Sequence, residues 1–358
     1  MTAFTLSASK NAFLLLESSI SNLPVEQSDT EEGVIDENPE QNAANWFNAQ
    51  FVNKDLGVLI GKDDIKTALG NGITCIWVNI DRLGLDDIKT AGISDGVVAD
   101  LKKFVEDGGN LLLTKQACKI AHRIGRIYEP TWGDGGYSVG GDIWSINPQV
   151  GLWWTLAESR RDNSNHPIYE DLETVEVYSA TMVDGEEAVP YSTFPLVGMV
   201  PRCDRNIAWL DYFRKDPADP TTILTADEAE TAGIEVHYAN DNALRLPEFE
   251  SDWNVTVLGI WGHVQDFCGG VIVEMHPDGD FKGKVLAIGA SAYQWGSSND
   301  YISNVKKLTK NALNYLTAEE TAVENVLSDV KALKTIENGQ VIIIKGGVRY
   351  NALGVQMK

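Results

Sequence analysis

The chain has 358 residues, 43% of them hydrophobic and 23% charged, enough for two domains or for one large domain with an appendage. Its net charge of -23 and pI near 4.5 argue against nucleic acid and anionic lipid as partners, because both repel a polyanion. No apolar run reaches the ~18 residues that cross a bilayer. The four cysteines, Cys75, Cys118, Cys203 and Cys268, are too scattered for a zinc site, so neither metal nor cofactor is expected.

Asn11 to Glu17 reads as a first buried strand. Leu23 to Asn38 is acidic and turn-rich, the pattern of a solvated loop. Asn38-Pro39-Glu40-Gln41 combines an N-cap, a proline at N1 and a glutamine at N3, which starts a helix with Ala43, Phe47 and Phe51 as its stripe. Val58–Ile60 and Ile73–Ile80 are the next strands, with a short helix at Asp63 to Leu69 between them. Ser94 caps a helix that presents Val97, Val98, Leu101, Phe104 and Val105 on one face. Gly108-Gly109 ends that helix. Asn110–Thr114 is a strand of the kind buried on both faces of a parallel sheet. From about 133 to 274 helical periodicity is rare, and short β-like pieces appear at Val175–Tyr178, Ile234–Tyr238 and Val255–Trp261. The α/β pattern returns with a strand at Gly283–Gly289 and a helix over Tyr301–Leu316. The apolar runs Asn11–Glu17, Ile73–Ile80, Asn110–Thr114 and Gly283–Gly289, with helices between them, predict neighbouring parallel strands of one sheet.

The organisation read from this is an α/β domain over 1–318 with a β-rich, Trp-rich excursion at about 133–274. A linker over 319–333 follows, and then a small β-hairpin appendage over 334–358 about Gly346-Gly347.

The turn after Asn110–Thr114 has the strand–elbow–helix layout on which enzymes expose a nucleophile, yet it offers Lys115 and Gln116. The segments NPEQNAANWF, CIWVNID, FVEDGGNLLLTKQAC, NHPIYEDL, FKGKVLAIGASAYQWG and LTKNALNYL, in this order over residues 11–316, resemble a domain of Bacteroidetes surface proteins from glycan-utilisation loci. The resemblance implies a flavodoxin-like, class I glutamine-amidotransferase-like fold. It also implies a cell-surface or periplasmic protein that handles polysaccharide, with fructan among the glycans. Residues Thr335–Lys358 are similar to the C-terminal tails of Bacteroidetes secreted proteins. The N-terminal stretch carries no basic segment ahead of a long apolar one, so export would imply a leader already removed. Amidotransferase-like enzymes place a cysteine at the elbow and a His-x-Glu pair later. Here His263-Val264-Gln265-Asp266 has the wrong spacing, so no catalytic residue carries across.

Other residues offer chemistry. Cys118 has His122 at i+4, but a cysteine on a sheet-packing helix reads as core, as do the other thiols, with a Cys203–Cys268 bridge left open. Neighbouring acids such as Asp278 and Asp280 read as turn residues rather than the facing pair that glycoside hydrolysis needs. His166 precedes Pro167 and either presents its ring to a ligand or shapes a loop. Ten tryptophans are present, and Trp132, Trp144, Trp153 and Trp154 fall in one glycine-rich stretch, as sugar-stacking faces or as a mini-core. Ligands of open α/β sheets bind beyond the carboxyl ends of the strands, where Lys115, Gln116, Tyr293 and Trp295 would cluster. The function expected is non-catalytic binding of a neutral oligosaccharide or polysaccharide at the cell surface. The alternatives are a carbohydrate-active hydrolase and a structural partner of outer-membrane uptake proteins.

Overall fold

The computed structural model describes residues 9–25, 29–30, 33–34, 38–82, 85, 87–128, 144–150, 161–178, 190–197, 208–209, 214–219, 222–234, 242–261, 269–290, 292–296, 299–318, 333–337, 340–345 and 348–351. The chain forms two compact units, Met1–Thr317 and Ala318–Lys358.

The first unit is built on an 11-stranded mixed sheet. Its strands are β1 (Lys10–Leu14), β2 (Gly57–Ile60), β3 (Ile73–Ile80), β4 (Asn110–Lys115), β5 (Trp144–Asn147), β6 (Val175–Tyr178), β7 (Pro190–Val197), β8 (Ala208–Trp209), β9 (Val255–Trp261), β10 (Gly269–Met275) and β11 (Val285–Ile288). The spatial order is β6-β7-β5-β9-β10-β11-β4-β3-β1-β2, with β8 paired to β10. From β11 to β2 every pairing is parallel. Taken in chain order, these five strands lie as 2-1-3-4-5, the flavodoxin-type order, whose switch point falls between β1 and β3. The four strands anticipated from their apolar runs are therefore adjacent and parallel in one sheet. The excursion supplies the antiparallel half of the same sheet, through β5, β6, β7, β9 and β10.

The helices follow the stripes read from sequence. α1 (Pro39–Gln50) buries Ala43, Ala44 and Phe47, and α2 (Asp95–Glu106) buries Val97, Val98, Leu101, Phe104 and Val105. Ser94 caps α2 by accepting from the Val97 amide at 3.3 Å. Asn38 caps α1 without a side-chain hydrogen bond, and the Gln41 amide donates to the Leu23 carbonyl. The helix expected at Asp63 to Leu69 is two 3₁₀ turns, Lys62–Thr67 and Leu69–Asn71. After the elbow comes the short α3 (Lys119–Arg123), and the excursion carries α4 (Ala226–Thr231) and α5 (Asn242–Trp253). α6 (Ile302–Thr317) buries Val305, Leu308, Ala312, Leu313 and Leu316, leaving Ile302 half-buried at its first turn. Beyond Ile234, the strand expected at 234–238 lies outside the described residues.

The second unit contains an antiparallel sheet of β12 (Leu333–Glu337), β13 (Gln340–Lys345) and β14 (Val348–Asn351). The expected hairpin is its β13–β14 pair, and β12 adds a third strand, which covers one of the two open edges that leave a lone hairpin marginal.

Two glycines are fixed by geometry where α2 meets the sheet. Gly108 has φ +105°, a region open to glycine. A Cβ on Gly283 would stand 1.9 Å from the Gly109 carbonyl oxygen, so the approach of these backbones requires glycine just before β11. Gly283→Ala is expected to lower stability by about 2 kcal/mol or more through backbone displacement, read as a fall in the thermal or denaturant midpoint. A midpoint equal to that of the unchanged protein would show that the two backbones can separate freely.

Candidate functional site

The elbow forms where β4 ends. Lys115, its last residue, has φ 58° and ψ -130°, a sparsely populated conformation that a non-glycine residue holds only when its surroundings impose it. This turn aims the Lys115 side chain across the carboxyl ends of the strands, and there it is enclosed. Lys115 and Gln116 are fully buried, and the Lys115 ammonium lies 3.8 Å from the carboxylate of Asp81, itself buried at the end of β3. The Gln116 amide clamps the chain after β3 at two points. It accepts from the Arg82 amide at 3.3 Å and donates to the Arg82 carbonyl at 2.5 Å. The Arg82 guanidinium meets the buried Glu40 carboxylate in a fork, Nε to Oε1 at 2.9 Å and Nη2 to Oε2 at 3.1 Å, while the Asp81 amide donates to the same Oε1. Burial pushes the Glu40 carboxyl up from its ordinary range, against the pull of Arg82. Glu40 thus ties the first turn of α1 to the end of β3, across the switch point.

Tyr293 and Trp295 follow β11 and do converge on this edge, but as core. Trp295 is 1% exposed and Tyr293 not at all. The Tyr293 hydroxyl shares a 2.5 Å hydrogen bond with Thr309 of α6, and burial pushes its ionisation up. Trp295 lies between Trp77 of β3 (5.6 Å between ring centroids) and Trp46 of α1 (5.0 Å). The expectation that Lys115, Gln116, Tyr293 and Trp295 line an open edge is therefore corrected. They come together, but each has exchanged solvent for a polar or aromatic partner inside the fold.

What the edge does open is a cleft of about 360 Å³ between the middle of α1 and the first turns of α6, lined by Asn42, Asn45, Trp46, Trp295, Ile302 and Lys306. Trp46 is the half-buried aromatic on its wall, seated on Trp295 and Trp77. Asn42 donates to the Trp295 carbonyl at 2.9 Å, which anchors the loop that forms the floor. The apolar stripe Ala43, Phe47 and Phe51 does not include Trp46. The signal was its flank: Asn42, Asn45 and Trp46 stand at i, i+3 and i+4, a polar and aromatic ridge beside the apolar one.

The remaining expected residues fall elsewhere. Trp132, Trp153, Trp154, Cys203, Cys268 and the His263–Asp266 run lie outside the described residues. Trp144 is half-buried on β5, where it pairs with Val197 of β7. Cys118 is buried, with its thiol 3.6 Å from the Leu113 carbonyl, and Cys75 is buried too, its ionisation pushed far up by burial. Asp278 and Phe281 close the turn around Gly279. Among the described residues there is no group of His, Cys, Asp and Glu arranged to hold a metal, and no helix long and apolar enough to cross a membrane.

His166 belongs to a separate polar cluster. Its Nδ1 accepts from the Ile168 amide at 3.4 Å, so it caps the short turn Pro167–Tyr169, and its Nε2 faces the Glu274 carboxylate at 3.6 Å. Glu274 on β10 also accepts from the Tyr315 hydroxyl of α6 at 2.7 Å, with Lys284 at 3.5 Å and His276 at 3.8 Å. Burial opposes its charge, but the hydrogen bonds from His166 and Tyr315 and the nearby His276 and Lys284 hold its carboxyl down at about 2. Burial likewise lowers His276, favouring its neutral form. The cluster ties β10, the start of β11, α6 and the Pro167 turn together, which assigns His166 to loop shaping.

Two measurements follow from these charges. Arg82→Ala strands the Glu40 carboxylate and is expected to cost about 3–5 kcal/mol of stability by denaturant unfolding; a change within ~0.5 kcal/mol would mean that the fork is not formed in solution. Because Glu274 is held below its unfolded value of 4.5, its contribution is complete above that pH and is lost as pH falls toward about 2. Glu274→Gln should therefore cost roughly 1–3 kcal/mol at neutral pH and flatten the acid limb of stability against pH over that window. A variant with an unchanged acid limb would contradict this.

No family model and no curated protein matches the chain. Solved structures with some likeness include a ThuA-like protein from Bacteroides uniformis, at 11% identity, covering 90% of this chain and 97% of that one, with a TM-score of 0.36. A cytoplasmic protein from Salmonella typhimurium matches at 11% identity over 86% of this chain and 98% of its own, with a TM-score of 0.32. A GH42 β-galactosidase from G. stearothermophilus, in a catalytic-mutant structure, matches at 12% identity over 96% of this chain but 34% of its own, with a TM-score of 0.31. At such scores these likenesses carry no function across, and the flavodoxin-type fold stands on the strand order itself.

Proposed function

We propose that this protein binds a saccharide in the cleft between α1 and α6 and does so without turning it over. The observation that carries this reading is the cleft lining. An indole on the wall, backed by a second indole and flanked by two carboxamides, is the mixture that sugars use, with an apolar ring face to stack and hydroxyls to hydrogen-bond. Trp46 is held by Trp295, Trp77 and Phe51, so little side-chain freedom is left to lose on stacking. The elbow supports binding over turnover. The position where related layouts expose a nucleophile carries a lysine enclosed against Asp81. A cell-surface or periplasmic setting, alongside outer-membrane uptake proteins, belongs to the same proposal and rests on the sequence resemblance.

The test is calorimetric titration with fructan, glucan, mannan and uronide oligosaccharides, together with analysis for released sugars. Trp46→Ala is expected to weaken binding by at least ~1 kcal/mol while leaving the fold intact. Trp295→Ala, by contrast, is expected to cost about 3–5 kcal/mol of stability because it empties a core position. Trp46→Ala that binds as the unchanged protein does would remove the cleft from the reading, and released sugars would replace binding by hydrolysis.

A further inference from the structure

The cleft is cationic in a protein that is strongly anionic. Lys306 is the one charged residue among the described residues that line it, and no ion pair of Lys306 occurs among those residues. The bias lies on the α6 wall, since α1 carries no basic residue. α6 carries Lys306, Lys307 and Lys310 and no acid, and the single acid of α1, Glu40, is consumed by Arg82. Lys307 turns to the Asp171 carbonyl, which leaves Lys306 as the cation facing the cleft. The cleft also borders the first turn of α6, a 16-residue helix whose dipole adds positive potential there, partly offset by the exposed Asp300 two residues ahead of it. A net charge of -23 makes such an inversion costly to neglect, since a neutral ligand would gain nothing from it.

We infer that the saccharide held in the cleft carries an anionic substituent, a carboxylate or a sulfate, that pairs with the Lys306 ammonium while Trp46 stacks on the ring. This inference rests on the saccharide-binding reading above and replaces the neutral ligand expected from the sequence. Half-burial of Lys306 beside the two indoles strengthens the pair relative to one on an open surface. The carboxamide of Asn45 can meet ring hydroxyls and sets no charge preference, while Asn42 donates to the Trp295 carbonyl.

The experiment titrates the full chain with size-matched oligosaccharides in three arms: oligogalacturonides, sulfated galactan oligosaccharides and neutral fructo- and gluco-oligosaccharides. Lys306→Gln, Lys306→Arg and Trp46→Ala are compared with the unchanged protein, each checked by thermal unfolding. Expected is a preference of about tenfold or more for one anionic arm over the neutral arm at low salt, falling as ionic strength rises. The preferred arm distinguishes carboxylate from sulfate. Lys306→Gln should erase the preference, Lys306→Arg should keep most of it, and Trp46→Ala should weaken all arms together. Equal binding of anionic and neutral sugars, or a preference that survives Lys306→Gln, overturns the inference and leaves saccharide binding standing. No binding in any arm overturns both.

Discussion

The structure depends on β11 being paired on both sides. It lies parallel to β4 and antiparallel to β10, so it alone joins the flavodoxin-type half of the sheet to the half supplied by the excursion. A strand in that position must satisfy amides and carbonyls on both edges, and every residue of Val285–Ile288 is fully buried. The approach is tight enough that Gly283 nearly touches the backbone at Gly109, just before β4. Asn110 adds a side-chain clasp, accepting from the Lys284 amide and donating to the Leu316 carbonyl at the end of α6. Sheet junction and helix end are thus closed by the same few residues. The chain must complete the long excursion before this strand can enter, a non-local pairing that carries a large loop-closure cost.

α6 extends that junction over the antiparallel half. Asn304 accepts from the Glu173 amide and donates to the Glu173 and Pro195 carbonyls, and Asn311 donates to Ile168 and Glu170. Asn299, just ahead of the helix, donates to the Leu196 and Gln294 carbonyls. A row of amides on one helix satisfies loop carbonyls that would otherwise be buried without partners. The same anchoring sets the α6 first turn against α1, and so gives the cleft its two walls.

The elbow and the cleft divide the two roles that a carboxyl-end edge can play in this fold. The elbow keeps its strained geometry at Lys115, but the side chain is fully buried beside Asp81, and Gln116 and the Glu40–Arg82 fork hold the chain that follows β3. Strain at such a site survives because the surrounding network over-determines it. The edge that remains open lies one layer further out, where Trp46 rather than Trp295 meets solvent. Charge repeats this division. The buried cations are matched by carboxylates, whereas among the described residues no carboxylate pairs with Lys306.

How much was legible divides along physical lines. The parallel strands, the α2 face, its Ser94 cap and the adjacency of Gly283–Gly289 to Asn110–Thr114 were readable, because each is written in local periodicity and in residues that one backbone conformation demands. Position at the carboxyl edge was readable for Lys115, Gln116, Tyr293 and Trp295. Their exposure was not, because burial depends on what the far parts of the chain lay over them. Trp46 and Lys306 are 260 residues apart in sequence and share a cleft only because α1 and α6 both pack on the parallel half of the sheet, meeting at β3. The alternation of elements, and hence the α/β class, is legible along the chain because both follow from short-range spacing. The tertiary structure alone decided which aromatic faces solvent and which charges are spent on each other, because solvent access and ion pairing are properties of distance in space rather than along the chain.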